Sequence, residues 1–241
     1  MKVAFLSDIH ANIHTLTAAF KSAERSGASS TFVAGDIVGR GSHPLEVVRF
    51  LKERQIPVIR GNVERKLLTM REGQKNIIEL LKGKKENLAW TAFQLDEEAW
   101  SYIGSLPEKL EFELNGYRVL VVHGSPLSDK DYIYPSITSR GIRAKLKDEN
   151  PDLLICGHSH VPFVKRFGSL RVVNCGSIGM SIDGDPRPSY VLADISKERG
   201  IHCRVLRFSY SLPELITALK TREIPGIDEE VSITGINNMK D

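Results

Sequence analysis

Short β-rich runs alternate with stretches of helical period through the first 60 residues, and this alternation constrains the fold more than any other feature. Val3 to Leu6 is a β-rich run. Asn12 to Ser26 then places Ile13, Leu16, Ala19, Phe20 and Ala23 at helical spacing and closes on Gly27. Thr31 to Ala34 reads as a second strand. His43 to Arg54 reads as a second helix, with Leu45, Val48 and Leu51 on one face and Pro44 in its first turn. Ile56 to Ile59 reads as a third strand. A strand–helix–strand–helix–strand order predicts βαβ units and a parallel sheet.

Residues 62–105 carry no strand signal and read as two or three helices, including NIIELL and the stretch from Trp90 to Trp100. From residue 109, KLEFELNGYRVLVVHG reads as a hairpin turning at Asn115-Gly116. A polar loop with Tyr and Pro follows, from Ser125 to Pro135. Thr138 to Lys147 reads as a helix and Asp152 to Cys156 as a strand. The runs VPFVKRF, LRVVNC, SYVLADI and IHCRVLRF have an antiparallel pattern and predict a second sheet. Ser211 opens a last helix, SLPELITALK. We expect one α/β domain over 1–241, since no Pro-, Gly- or Ser-rich linker divides it. Two sheets would pack face to face with helices outside. A helical insertion or cap is expected at 64–105 and a loose polar tail from 225.

The polar residues just past the strands carry the chemistry. Asp8 and His10 follow the first strand, Gly35-Asp36 the second and Gly61-Asn62 the third. His123 follows the hairpin, and Gly157-His158-Ser159-His160 follows the 152–156 strand. Open α/β sheets bind ligands beyond the carboxyl ends of their strands. Taken singly, a D-x-H is a cap or a surface pair, and a GD or GN is a turn. Here all five fall at successive strand ends, and four of the seven histidines lie among them. Carboxylate, imidazole and amide oxygen donors without thiolate suit manganese, iron, zinc or similar divalent ions. Seven such residues exceed one tetrahedral ion and fit two ions that share a carboxylate. His14, His43 and His202 read as structural.

Composition narrows the remaining classes. A net charge of +3 with scattered basic residues gives no nucleic-acid stripe. The N-terminal apolar run is too short for a signal peptide or membrane helix, so a cytoplasmic location is expected. The three cysteines form no C-x-x-C and read as buried free thiols.

The motifs SDIHAN (7–12), GDIVGRG (35–41), GNVE (61–64), VHGSP (122–126) and GHSH (157–160) resemble those of the calcineurin-like metallophosphoesterases, in the family's order. NCGSIGMSIDGDPRPSY (174–190) is similar to a stretch of the small bacterial and archaeal phosphodiesterase-type branch. The resemblance implies a four-layer α/β/β/α sandwich of two mixed sheets, the metallophosphatase fold. It also implies two divalent metals, manganese first, with iron, zinc, nickel, cobalt or magnesium as alternatives. Asp8, His10 and His160 would bind one metal, Asn62, His123 and His158 the other, and Asp36 would bridge them. A hydroxide shared by the metals would attack phosphorus. Asp36, Asn62, His123 and Arg40 would be the catalytic residues, and Arg40 and Arg187 would contact substrate phosphate.

Two positions depart from the family pattern. Val63 stands where the family usually has a proton-donating His. Gly39 precedes Arg40 where the protein-phosphatase branch has Asp. We therefore expect hydrolysis of phosphodiesters or nucleotides rather than simple monoesters. The alternative motivated by Arg40 is a protein Ser/Thr phosphatase or dinucleoside-polyphosphate hydrolase, with a phosphoprotein as partner. The alternative from another class is a non-catalytic binding scaffold. Neither a specific nucleic acid nor a membrane is expected as partner. Tyr132 and Tyr134 read as loop packing first and as lining of a substrate opening second.

Overall fold

The computed structural model describes residues 1–73, 86–222 and 224–225 of the chain. Among the described residues, nine strands and seven helices follow in chain order. They are β1 (Lys2–Leu6), α1 (Ile13–Arg25), β2 (Ser30–Val33), α2 (Pro44–Glu53), α3 (Asn62–Glu72), α4 (Glu86–Gln94) and α5 (Glu97–Ser105). Then come β3 (Lys109–Leu114), β4 (Tyr117–Val122), α6 (Ser139–Leu146), β5 (Leu153–Cys156), β6 (Phe163–Phe167), β7 (Leu170–Asn174), β8 (Ser189–Ser196), β9 (Gly200–Arg207) and α7 (Leu212–Thr221). Local chemistry sets several boundaries. The side chains of Asn12, Asp96 and Thr138 cap α1, α5 and α6. Asn115 and Gly116 both take positive φ, at 51° and 87°, as the tight turn between β3 and β4 requires. NIIELL and nearly all of the tail from 225 lie outside the described residues.

The strands form two mixed sheets, ordered β2-β1-β8-β9 and β3-β4-β5-β7-β6. β1 runs parallel to β2 and antiparallel to β8. Side chains alternate across each strand, so every strand feeds two layers. Val3 and Phe5 of β1 join Val191 and Ala193 of β8 and Val119, Val121, Leu153, Ile155 and Val173 of the other sheet in one buried cluster. That cluster lies between the sheets. Ala4 and Leu6 point the other way and pack with Leu16, Val47, Val48, Ala99 and Ile103 from α1, α2 and α5. Leu120, Leu154 and Val172 turn outward to meet Ile142 of α6. The result is the four-layer α/β/β/α sandwich. α4 and α5 share the core of α1 and α2, with Ala92, Leu95 and Trp100 buried there.

Two expectations about strands need correcting. Ile56 to Ile59 is not a full strand. It contributes a single parallel bridge, Val33 to Val58, with Val33 N donating to Pro57 O (2.9 Å) and Ile59 N donating to Val33 O (3.0 Å). Pro57 has no N–H, so the ladder cannot extend across it. The last four strands also do not make a sheet of their own. β6 and β7 join β5, whereas β8 and β9 join β1.

Candidate metal centre

Loops from both sheets meet beyond the ends of β1, β2, β4 and β5. Asp8, His10 and His160 bring one ligand atom each within 4.8 Å of one another, and so do Asp36, His123 and His158. All but His158 are buried; His158 is half-buried. Their backbones are unusual. Asp8, His10, Asp36, His158 and His160 have φ between 48° and 62°, a region that non-glycine residues rarely adopt. Such strain persists where surrounding structure over-determines it, and it gathers at functional sites.

Each carboxylate divides its work between its two oxygens. Asp8 Oδ2 accepts from Ser7 Oγ (2.6 Å) and His158 N (2.9 Å). Its Oδ1 is buried without a hydrogen-bond partner and lies 3.1 Å from His160 Nε2. Asp36 Oδ1 accepts from Val63 N at 2.8 Å. Its Oδ2 faces both clusters, 3.4 Å from His123 Nε2 and 4.0 Å from His10 Nε2. The imidazoles are oriented likewise. His123 Nδ1 donates to Ala34 O (2.8 Å) and His160 Nδ1 to Met180 O (2.7 Å), which turns each Nε2 into the site.

Asn62, at the start of α3, closes the second cluster. Its Oδ1 lies 3.2 Å from His123 Nε2. As placed, this oxygen meets acceptors only. Turning the amide over would let it donate to His158 Nδ1 at 2.7 Å and accept from Lys66 Nζ at 3.2 Å. A turned amide or a cation would each satisfy that arrangement. Together with the orphaned Asp8 oxygen and the all-N/O donor set, it makes these residues a fit for hard or borderline divalent ions.

Electrostatics in the protein without cations follow from this crowding. Burial opposes charge on His123, but Asp36 and Asp8 outweigh it and lift its pKa to about 10. Burial would raise Asp36, yet His123 and His10 hold it down at about 2. Burial and the neighbouring His160 push His10 down to about 3.

Glu64 belongs to the site although no ligand pattern in the sequence marks it. It is fully buried and accepts from Gly61 N (2.8 Å), Ile37 N (2.9 Å), Asp36 N (3.0 Å) and Val38 N (3.2 Å). One carboxylate thus ties the Asp36 loop to the Asn62 turn. An acid three residues after the helix cap was the available signal. Gly61 is needed for the same junction, because a Cβ there would meet the Asp36 carboxylate, with Cγ at 3.0 Å.

Val63 is 7% exposed and packs in the core cluster with Ile37, Val38 and Leu67. A Cβ on Gly39 would lie 2.7 Å from Val63 Cγ1, so the two departures from the family pattern touch each other. Arg40 follows with φ 66°; Asn87 of α4 holds its backbone N–H (2.7 Å), and its Nη1 lies 3.4 Å from Met180 Sδ. Its charge helps to depress His10. The Arg187 guanidinium pairs with Asp185 at 2.6 Å, and its side chain is 56% exposed. The three cysteines are free; Cys156 and Cys175 are buried as expected, whereas Cys203 is half-buried. Beside His123 a cleft of about 490 Å³ opens, lined by Arg60, Arg65, Lys109, Ser125 and Asp129 among others.

This fold and these motifs define a class. The chain belongs to the calcineurin-like phosphoesterase superfamily, whose domain model matches residues 1–198. Among particular relatives, it is similar to an uncharacterised protein of Methanocaldococcus jannaschii, 25% identical over 240 residues, covering 92% of this chain and 93% of that one. In fold it is similar to the hypothetical protein of Pyrococcus horikoshii OT3, with TM-score 0.84 at 22% identity, covering 97% of each chain. The metallophosphoesterase from Sphaerobacter thermophilus matches with TM-score 0.78 at 24% identity, covering 97% of this chain and 99% of the other. Among the described residues no helix is long and apolar enough to cross a membrane.

Proposed function

We propose that this chain is a dinuclear metal-dependent phosphoesterase that cleaves phosphodiester or nucleotide phosphoester bonds. Asp8, His10 and His160 would hold one cation and Asn62, His123 and His158 the other, with Asp36 between them. The observation that carries the reading is Asp36 Oδ2, one oxygen that faces both clusters while its partner oxygen is fixed by Val63 N. Bound there, divalent cations supply water of lowered pKa and neutralise phosphate oxygens. The chain supplies positioning. Ser7, Ala34, Val63 and Met180 aim the ligand atoms, so little reorganisation accompanies the reaction. Arg40 stands beside the first cluster and would meet phosphate oxygens there.

Val63 supplies no proton. A general acid contributes typically about 10²–10⁴-fold. Esters whose leaving group departs as a stable anion lose least by its absence, which favours diesters and activated esters over simple alkyl monoesters. Manganese is the first candidate metal.

The test is hydrolysis of bis(p-nitrophenyl) phosphate by purified protein with Mn²⁺, Fe²⁺, Zn²⁺, Ni²⁺, Co²⁺ or Mg²⁺. We expect turnover that a chelator removes, and Asp36→Asn to lower kcat at least ~100-fold while reducing bound metal. No turnover with any of these ions would sink the reading.

A further inference from the structure

The loop that follows His123 carries a feature that phosphoester chemistry alone does not need. Ser125 Oγ donates to Asp131 (2.6 Å), and Lys145 Nζ of α6 holds the same carboxylate at 2.5 Å. Ile133 is fully buried among Leu120, Ile142 and Leu154. With Ile133 anchored inward, its neighbours Tyr132 and Tyr134 stand outward, 46% and 44% exposed.

The two rings are ordered. Tyr134 stacks on Tyr132 with centroids 5.4 Å apart and planes at 11°. Tyr132 stacks in turn on His158, with centroids at 4.4 Å and planes at 24°. A continuous stack of three rings thus runs from a candidate metal ligand to solvent. Single exposed apolar side chains are ordinary, but a fixed, contiguous aromatic patch beside a site marks a binding surface. Tyrosine suits the task, because it offers a rigid, amphipathic face at low entropic cost.

We propose that Tyr132 and Tyr134 form a stacking platform for the base of a nucleotide, so that the substrate is a phosphoester carrying a planar aromatic ring. The inference rests on the phosphoesterase reading above and narrows its substrate. Tyr132 touches a candidate ligand, so the platform lies beside the clusters where a phosphate would bind. Every base has a π-face, so such a platform selects nucleotides over sugar or glycerol phosphates without choosing among bases.

The test compares two ligands that cannot be hydrolysed, methylphosphonate and the phosphonate analogue of AMP, by calorimetric titration of the manganese-loaded protein. Base stacking on an aromatic side chain is worth about 5- to 150-fold in affinity. We expect the AMP analogue to bind at least ~10-fold tighter than methylphosphonate. Tyr134→Ala, a position that touches no candidate ligand, should collapse that ratio, and Tyr134→Phe should preserve it. Equal affinity for the two ligands in the wild type, or a Tyr134→Ala variant that keeps the ratio, overturns the platform and leaves the phosphoesterase reading standing. Failure to bind either ligand overturns both.

Discussion

Val63 and Asn62 are chain neighbours with opposite fates. Asn62 enters the second ligand cluster, whereas Val63 turns into the core and fills the space that Gly39 leaves. Replacing Val63 by His tests whether this slot reaches the leaving group. The larger ring overpacks a buried site, so thermal stability should drop, by about 1–3 kcal/mol. Turnover of alkyl monoesters should nevertheless rise relative to activated diesters. An equal change on both substrates would show that side chain 63 lies out of proton reach. Glu64 invites a second substitution. Its four N–H donors leave no room for another donor, and the amide of Glu64→Gln would point an NH₂ group at backbone N–H groups. We expect that variant to lose at least about 3 kcal/mol in urea denaturation. Loss under about 1 kcal/mol would mean that the carboxylate is not the tie between the two loops.

At the scale of elements, most helices and strands were legible because their signals are local. α1 shows a helical stripe of apolar residues and an Asn cap, and the β3–β4 hairpin has its Asn-Gly turn. The candidate ligand set was visible for a similar reason, since each member lies within a few residues of the end of an apolar run. What escaped was non-local. The sequence of β6 to β9 says that strands are present but not which sheet each joins, because pairing such as Lys2 with Asp194 is decided by packing across the chain. The left-handed backbone at Asp8, His10, Asp36, His158 and His160 was equally hidden. Asp and His mark it far more weakly than glycine does, and loop-to-loop bonds such as Asp8 N to Gly35 O and His10 N to Asp36 O hold it in place. Tyr132 and Tyr134 could be noticed in the sequence, but only Ile133 in the core shows that they are held outward.

For the molecule as a whole, the buried charges predict how stability varies with pH. His123 rises from 6.5 in the unfolded chain to about 10 when folded. A raised pKa means that its contribution is complete below 6.5 and is lost as pH climbs through about 10. Asp36 moves the other way, from 3.8 to about 2, and its contribution is lost as pH falls through about 2. His10, depressed from 6.5 to about 3, adds a contribution that is lost as pH falls from 6.5 toward about 3. The chelator-treated protein should therefore be most stable near pH 6.5 and weaken toward alkaline pH. Manganese should reverse the alkaline decline by displacing the His123 proton. Melting curves with chelator and with Mn²⁺ from pH 4 to 10 check this. A chelator-treated protein that is as stable at pH 9 as at pH 6.5 would contradict the charge assignments.

The pairing of β1 with β8 also bears on time. Asp8 and His10 emerge from the ribosome at once, but β1 gains its second neighbour only when residues 189–196 are made, and His160 is braced by Met180. For most of its synthesis the chain thus carries candidate ligand side chains with no finished site around them. Chains fold during synthesis as their contacts become available. Here the contact that completes the central sheet arrives late, so a nascent chain has little means of trapping a stray cation before its fold can choose one.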